Sequence, residues 1–154
     1  MAGFQSLLNN ILLTRIPNIG LSKGYQDKIN VSQDRYTSVI VLVNIFLRIG
    51  IFGTFLGHGI NAILVKASWI HLITAFGFSN EFSIQVMPII GILDVIVALS
   101  ILIYPLKPVL IWAVFWAFIT ALSRPISGEP YIEFIERSAN WVAPLVLLLL
   151  SEKR

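Results

Sequence analysis

The sequence predicts an all-α integral membrane protein: an antiparallel four-helix bundle, with an N-terminal amphipathic surface helix and a short interfacial or re-entrant helix between spans 1 and 2. Composition is the first observation. Of 154 residues, 56% are hydrophobic and 12% charged, and the mean hydropathy is +0.83, too apolar for a surface covered by water. The second is that apolar tracts recur at lengths that match a hydrocarbon layer of ~30 Å. The third is that basic residues gather at alternate ends of those tracts, as the positive-inside tendency requires. Four Trp, four Tyr and ten Phe suit positions at the lipid boundary.

Residues 1–38 read as a cytoplasmic amphipathic segment and 39–154 as the bundle. Phe4, Leu7, Leu8, Ile11 and Leu12 follow helical spacing before Pro17 and Gly20 break it, the pattern of a helix lying on a membrane surface. No early basic region leads into a long apolar core, so a secretory signal is not expected. Lys23, Lys28 and Arg35 mark a polar connector in water.

The first span is expected at 39–65, where Asn44, Arg48, Phe55, His58 and Gly59 share one face and Gly50, Gly53 and Gly57 the other. The glycine face predicts close approach of a neighbouring helix. Ala67 to Phe78 is too short to cross and too apolar for an open loop. It reads as an interfacial or re-entrant helix, able to act as a lid with His71 near the mouth. The second span, 84–106, has Pro88 in its first turn and Asp94 near its middle. Arg48 is the expected partner of Asp94, the two lying about 10 Å and about 17 Å deep, a gap an arginine stem can cross. After Lys107 and Pro108, the third span, 109–123, carries Trp112 and Trp116 four residues apart. Packing or lipid contact is the commoner use of such a pair, and Trp116 is a lesser candidate for stacking on a flat cofactor.

The fourth span, 130–150, bears most on function. Its uninterrupted apolar run, Trp141 to Leu150, covers about half of a hydrocarbon layer. A helix started at Pro130 or Tyr131 is long enough, and it submerges Glu133, Glu136, Arg137 and Asn140 at i, i+3, i+4 and i+7, one stripe on one face. Charges at membrane depth face other helices or a wet cavity, which makes the stripe a candidate site. The whole constellation is then Arg48, His58, Asp94, Arg124, Glu133, Glu136, Arg137 and Asn140. Arg15, Lys23, Lys28, Arg35, Lys107, Lys153 and Arg154 place both termini in the cytoplasm, in a bacterial inner membrane with the stripe toward the outside.

Several chemistries are excluded. With no cysteine, there is no thiolate nucleophile, iron–sulfur cluster or cysteine-attached haem. A formal charge of +3 without a dense basic run gives no footprint for nucleic acid. A b-type haem is disfavoured because His58 and His71 are poorly placed to act as opposed ligands. No metal spacing, phosphate loop or Ser-His-Asp arrangement is present.

Two stretches carry a family likeness: Leu47-Arg-Ile-Gly-Ile-Phe-Gly-Thr-Phe-Leu-Gly57, an arginine opening a glycine-spaced helix, and Gly91-Ile-Leu-Asp-Val-Ile-Val-Ala-Leu-Ser100, an acid within a span. In these the chain, from Val39 to Ser123, resembles the DoxX-like family of small four-helix membrane proteins. The resemblance implies a four-span bundle and, as in some members, a membrane subunit of a quinone-linked oxidoreductase such as the thiosulfate-oxidising kind, with Arg48 and Asp94 carried over.

The functional expectation is a membrane subunit with an outward-facing polar pocket for a quinone or similar small ligand, since arginines and His58 can meet carbonyl oxygens while carboxylates relay protons. Other membrane subunits or further copies of the chain are the expected partners. The alternative is a non-catalytic structural or assembly subunit whose buried charges lock helix packing: Glu133 with Arg137, Glu136 with Arg124 and Asp94 with Arg48. A proton-coupled carrier of small solutes ranks below both, because no inverted repeat is evident.

Overall fold

The computed structural model describes residues 23–151. The surface helix expected around Phe4 to Leu12, Arg15, and the terminal Lys153 and Arg154 lie outside the described residues. Described residues form helices α1 (Lys23–Ile63), α2 (Ile70–Thr74, entered through a 3₁₀ turn at Ala67–Trp69), α3 (Asn80–Ile103), α4 (Lys107–Ile126), α5 (Tyr131–Glu136) and α6 (Ser138–Ser151), with no strand among them. Four stretches are long and apolar enough to cross a membrane: Arg35–Ile63, Asn80–Ile103, Lys107–Ile126 and Tyr131–Ser151. The chain divides after Ile40 into two units, and the hydrophobic core and the cavity belong to the second, Val41–Arg154.

Local chemistry moves several boundaries. The segment expected as a polar connector is helical from Lys23, since it contains no proline and one glycine to interrupt it. The helix α3 begins four residues before the expected span because Ser79 caps it, its hydroxyl accepting from the Phe82 N–H at 3.2 Å. Pro88 therefore lies inside the helix rather than in its first turn, where it removes one intrahelical hydrogen bond. The helix α4 starts two residues earlier than expected, at Lys107, with Pro108 in the opening positions where its missing N–H costs nothing.

The fourth span is not one rod. It breaks at Arg137, which closes α5 before α6 begins, and the expected single stripe is divided by that break.

Packing splits the molecule into a dry end and a hollow end. The dry core joins Ile51 and Phe55 of α1, Val97, Ala98 and Ile101 of α3, Leu110, Ala113 and Ala117 of α4, and Leu147 of α6. The helix α4 packs extensively on α6. Small residues at Ala113, Ala117 and Ala121, all buried, allow that approach. Between the two ends α1 and α3 touch backbone to backbone: a Cβ on Gly91 would stand 2.5 Å from the Gly59 carbonyl oxygen, and one on Gly59 2.8 Å from that of Gly91. The close contact expected at Gly50, Gly53 and Gly57 is not there, as a Cβ on any of the three meets nothing within 4 Å. Those glycines face away from the bundle, and the crossing uses the opposite face of α1.

Candidate functional site

Beyond the Gly59–Gly91 crossing the helices separate around a cavity of about 430 Å³. Regular spacing builds its walls. From α3, Phe82, Val86, Ile90 and Asp94 recur every four residues on one face, while Trp116, Thr120 and Arg124 do so from α4, with Ser123 beside them at the i+3 position from Thr120. The helix α1 adds His58 and Ala62, the segment around α2 forms the roof with Trp69, Leu72, Ile73 and Phe76, and Arg137 enters from the junction of α5 and α6. The lining is mostly apolar and aromatic with a few convergent polar groups, the usual make-up of a small-ligand site.

Of the residues expected from sequence, His58, Asp94, Trp116, Arg124 and Arg137 line this cavity. Arg48, Glu133, Glu136 and Asn140 do not. Arg48 points to the dry end, where Nε donates to the Ile101 carbonyl at 3.0 Å and Nη2 to those of Leu102 and Ile103. Those oxygens end α3 and lack intrahelical partners, and a guanidinium fork at a helix C-terminus satisfies them with favourable charge. The expected Arg48–Asp94 pair is thus replaced by a helix cap. The Asp94 side chain, in a residue only 6% exposed, lies on the cavity wall with Trp116.

The stripe on the fourth span separates into roles. Arg137 Nη1 donates to Glu133 Oε2 at 2.6 Å and to the Glu133 carbonyl at 2.6 Å, the i,i+4 pair the sequence predicts. Glu136 is exposed and pairs with no cation among the described residues, so the expected Glu136–Arg124 bridge does not form. Arg124 pairs with Glu129 instead, Nη1 reaching Oε1 at 3.0 Å and Oε2 at 3.2 Å. The change of partner follows from Gly128, whose φ of +90° turns the chain back and returns Glu129 to the end of α4.

Glu129 is the residue sequence reasoning missed. Its Oε1 also takes a hydrogen bond from His71 Nε2 at 2.9 Å, which ties the roof to α4. Burial raises the Glu129 pKa, but the His71 hydrogen bond and the Arg124 charge and hydrogen bond outweigh that, and the carboxyl is held below its ordinary range. An isolated acid in a Gly-Pro turn has no periodicity to reveal it. Aromatic contacts around the cavity include His58 edge-on to Trp69 at 5.5 Å, Lys66 over the same indole at 5.1 Å, Phe78 stacked on Phe82 at 5.0 Å and Trp112 stacked on Trp116 at 5.7 Å. Arg124 Nε is buried without a hydrogen-bond partner.

No family of known proteins matches the chain, and no curated protein or solved structure does. The site therefore rests on its own geometry. Its chemistry is that of an aromatic slot with a carboxyl and Trp116 at one end and two arginines at the other, eight residues along α4, about 12 Å away. Among the described residues no three His, Asp or Glu side chains cluster as metal ligands. The arginines and His58 are hydrogen-bond donors suited to ligand oxygens.

Proposed function

We propose that this chain is a membrane subunit whose intramembrane cavity binds a quinone or a similar small, flat, oxygen-bearing ligand of a redox system. The observation that carries the reading is the convergence of His58, Asp94, Trp116, Arg124 and Arg137 on one aromatic cavity. Quinone carbonyls need donors, which the arginines supply, Arg124 Nε among them. Reduction needs protons, which Asp94 and His58 can pass, and an apolar ring needs walls such as Phe76, Phe78 and Phe82. The same reading takes the spans as antiparallel, with both termini cytoplasmic in a bacterial inner membrane and α2 at the outer interface. The core-to-cavity order supports it, running Ile51 to Ala62 on α1, the reverse from Ile101 to Phe82 on α3, and forward again from Leu110 to Arg124 on α4. The likeness to the DoxX-like family, and with it an accessory place beside a quinone-linked oxidoreductase, belongs to this proposal.

A soluble short-chain quinone titrated into protein in mild detergent should quench tryptophan fluorescence saturably, and Arg124→Gln or Asp94→Asn should weaken binding about tenfold each, the value of one hydrogen bond to a charged group. Absence of saturable quenching, with no quinone, flavin or haem in organic extracts of the purified protein, would remove the reading.

The second reading, a structural or assembly subunit, has its own observation. Arg48 and the Glu133–Arg137 pair are engaged wholly inside the fold. It predicts that Arg137→Gln lowers stability and changes no ligand binding.

A further inference from the structure

The roof of the cavity has the construction of a lid. Its helix, α2, is five residues long and buries none of them, so it has little apolar packing of its own. A left-handed residue lies on each side of it, Val65 at φ 48° and Gly77 at φ 88°. Glycine adopts that conformation freely, but for a β-branched residue it is strained. Both chain reversals therefore sit where the segment joins its neighbours, with α1 ending before one and α3 starting soon after the other.

One polar tie holds this segment to the opposite wall. His71 leaves α2 and meets Glu129 at 2.9 Å, and the same Glu129 oxygen accepts from Arg124, a residue of the cavity itself. Glu129 is 22% exposed and His71 46%, which puts the tie at the boundary between the cavity and the exterior. Beneath it Leu72 and Ile73 cover the cavity.

We infer that Glu129 is a latch that keeps the α2 lid closed over the cavity, and that release of His71 from it opens the route by which a ligand enters from the outer side. The inference concerns access to the site under "Proposed function" and rests on that cavity being the binding site, whatever its ligand. Release of His71 leaves Glu129 paired with Arg124 alone, through both carboxylate oxygens, so the acid stays on the α4 wall while the lid moves. Closing restores the His71 bond and shuts water out, which strengthens every remaining charge interaction inside.

The absence of cysteine from the chain permits a direct test. Ser123, 6% exposed and part of the cavity wall, is replaced by Cys, and the rate of reaction with a membrane-impermeant maleimide is measured in mild detergent. Ala113→Cys, in the dry core, is the control. In the Glu129→Ala and His71→Ala backgrounds the Ser123→Cys reporter should react about tenfold faster, as expected for losing one charge-assisted hydrogen bond from the closed state, while the Ala113→Cys rate stays unchanged. Unaltered reaction at Ser123→Cys in both backgrounds overturns the latch, as does equal acceleration at both reporters, which is general loosening. Because no ligand is used, failure of quinone binding leaves this result standing, and failure of the latch leaves quinone binding unaffected.

Discussion

Arg48 and Glu129 show how little a charge's depth says about its task. Arg48 sits midway along its apolar span and Glu129 just past the end of α4, yet it is Arg48 that caps the carbonyls of α3 and Glu129 that joins the segment around α2 to a wall. Arg48→Gln should lower the unfolding midpoint in detergent by the equivalent of about 2–5 kcal/mol, because three carbonyls lose a charged donor. It should leave the affinity for a quinone analogue unchanged. Arg48→Lys should restore little of that stability, since an ammonium lacks the planar fork that reaches several oxygens. For Glu129 the pH dependence has a definite sign. A carboxyl whose folded pKa is lowered contributes stability above its unfolded pKa of about 4.3 and loses it as pH falls through the lower folded value. Thermal stability followed from pH 7 to pH 3 should decline over the acidic part of that range, and Glu129→Gln should flatten the decline.

At the scale of elements, the Gly59–Gly91 crossing is the most demanding contact. Gly91→Ala pushes a methyl onto the Gly59 carbonyl and the Ile63 backbone, and should destabilise by about 1–3 kcal/mol as overpacked contacts do. Gly53→Ala meets open space and should change the midpoint by no more than about 0.5 kcal/mol. Circular dichroism on thermal ramps of the two variants distinguishes the crossing from the outer glycine face. Hydropathy alone made four apolar tracts legible, since lipid requires each backbone group to be satisfied within its own helix. What it left open was decided by local caps and turns. Ser79 starts α3 early, Arg137 cuts the fourth span, and Gly128 carries Glu129 back to Arg124. Glycine spacing on α1 gave the right faces but the wrong contact, because a stripe of small residues marks where a helix can be approached and not which neighbour arrives.

For the molecule as a whole, the division into a dry end and a hollow end decides which candidate residues can act together. The cavity residues were readable individually from sequence as polar positions in apolar helices. Their grouping was not, since it depends on how α1, α3 and α4 are staggered about the crossing. A quinone analogue bound at 100 times its dissociation constant should stabilise the protein by about 2.7 kcal/mol, seen as a rise in the unfolding midpoint that Asp94→Asn reduces. Val65 bears on the energetics of the same molecule. A valine held at φ 48° stores on the order of 1–3 kcal/mol, tension that a swing at that joint would let go. The proposed latch thus sets one side-chain bond, His71 to Glu129 at 2.9 Å, on a segment that begins at a strained joint.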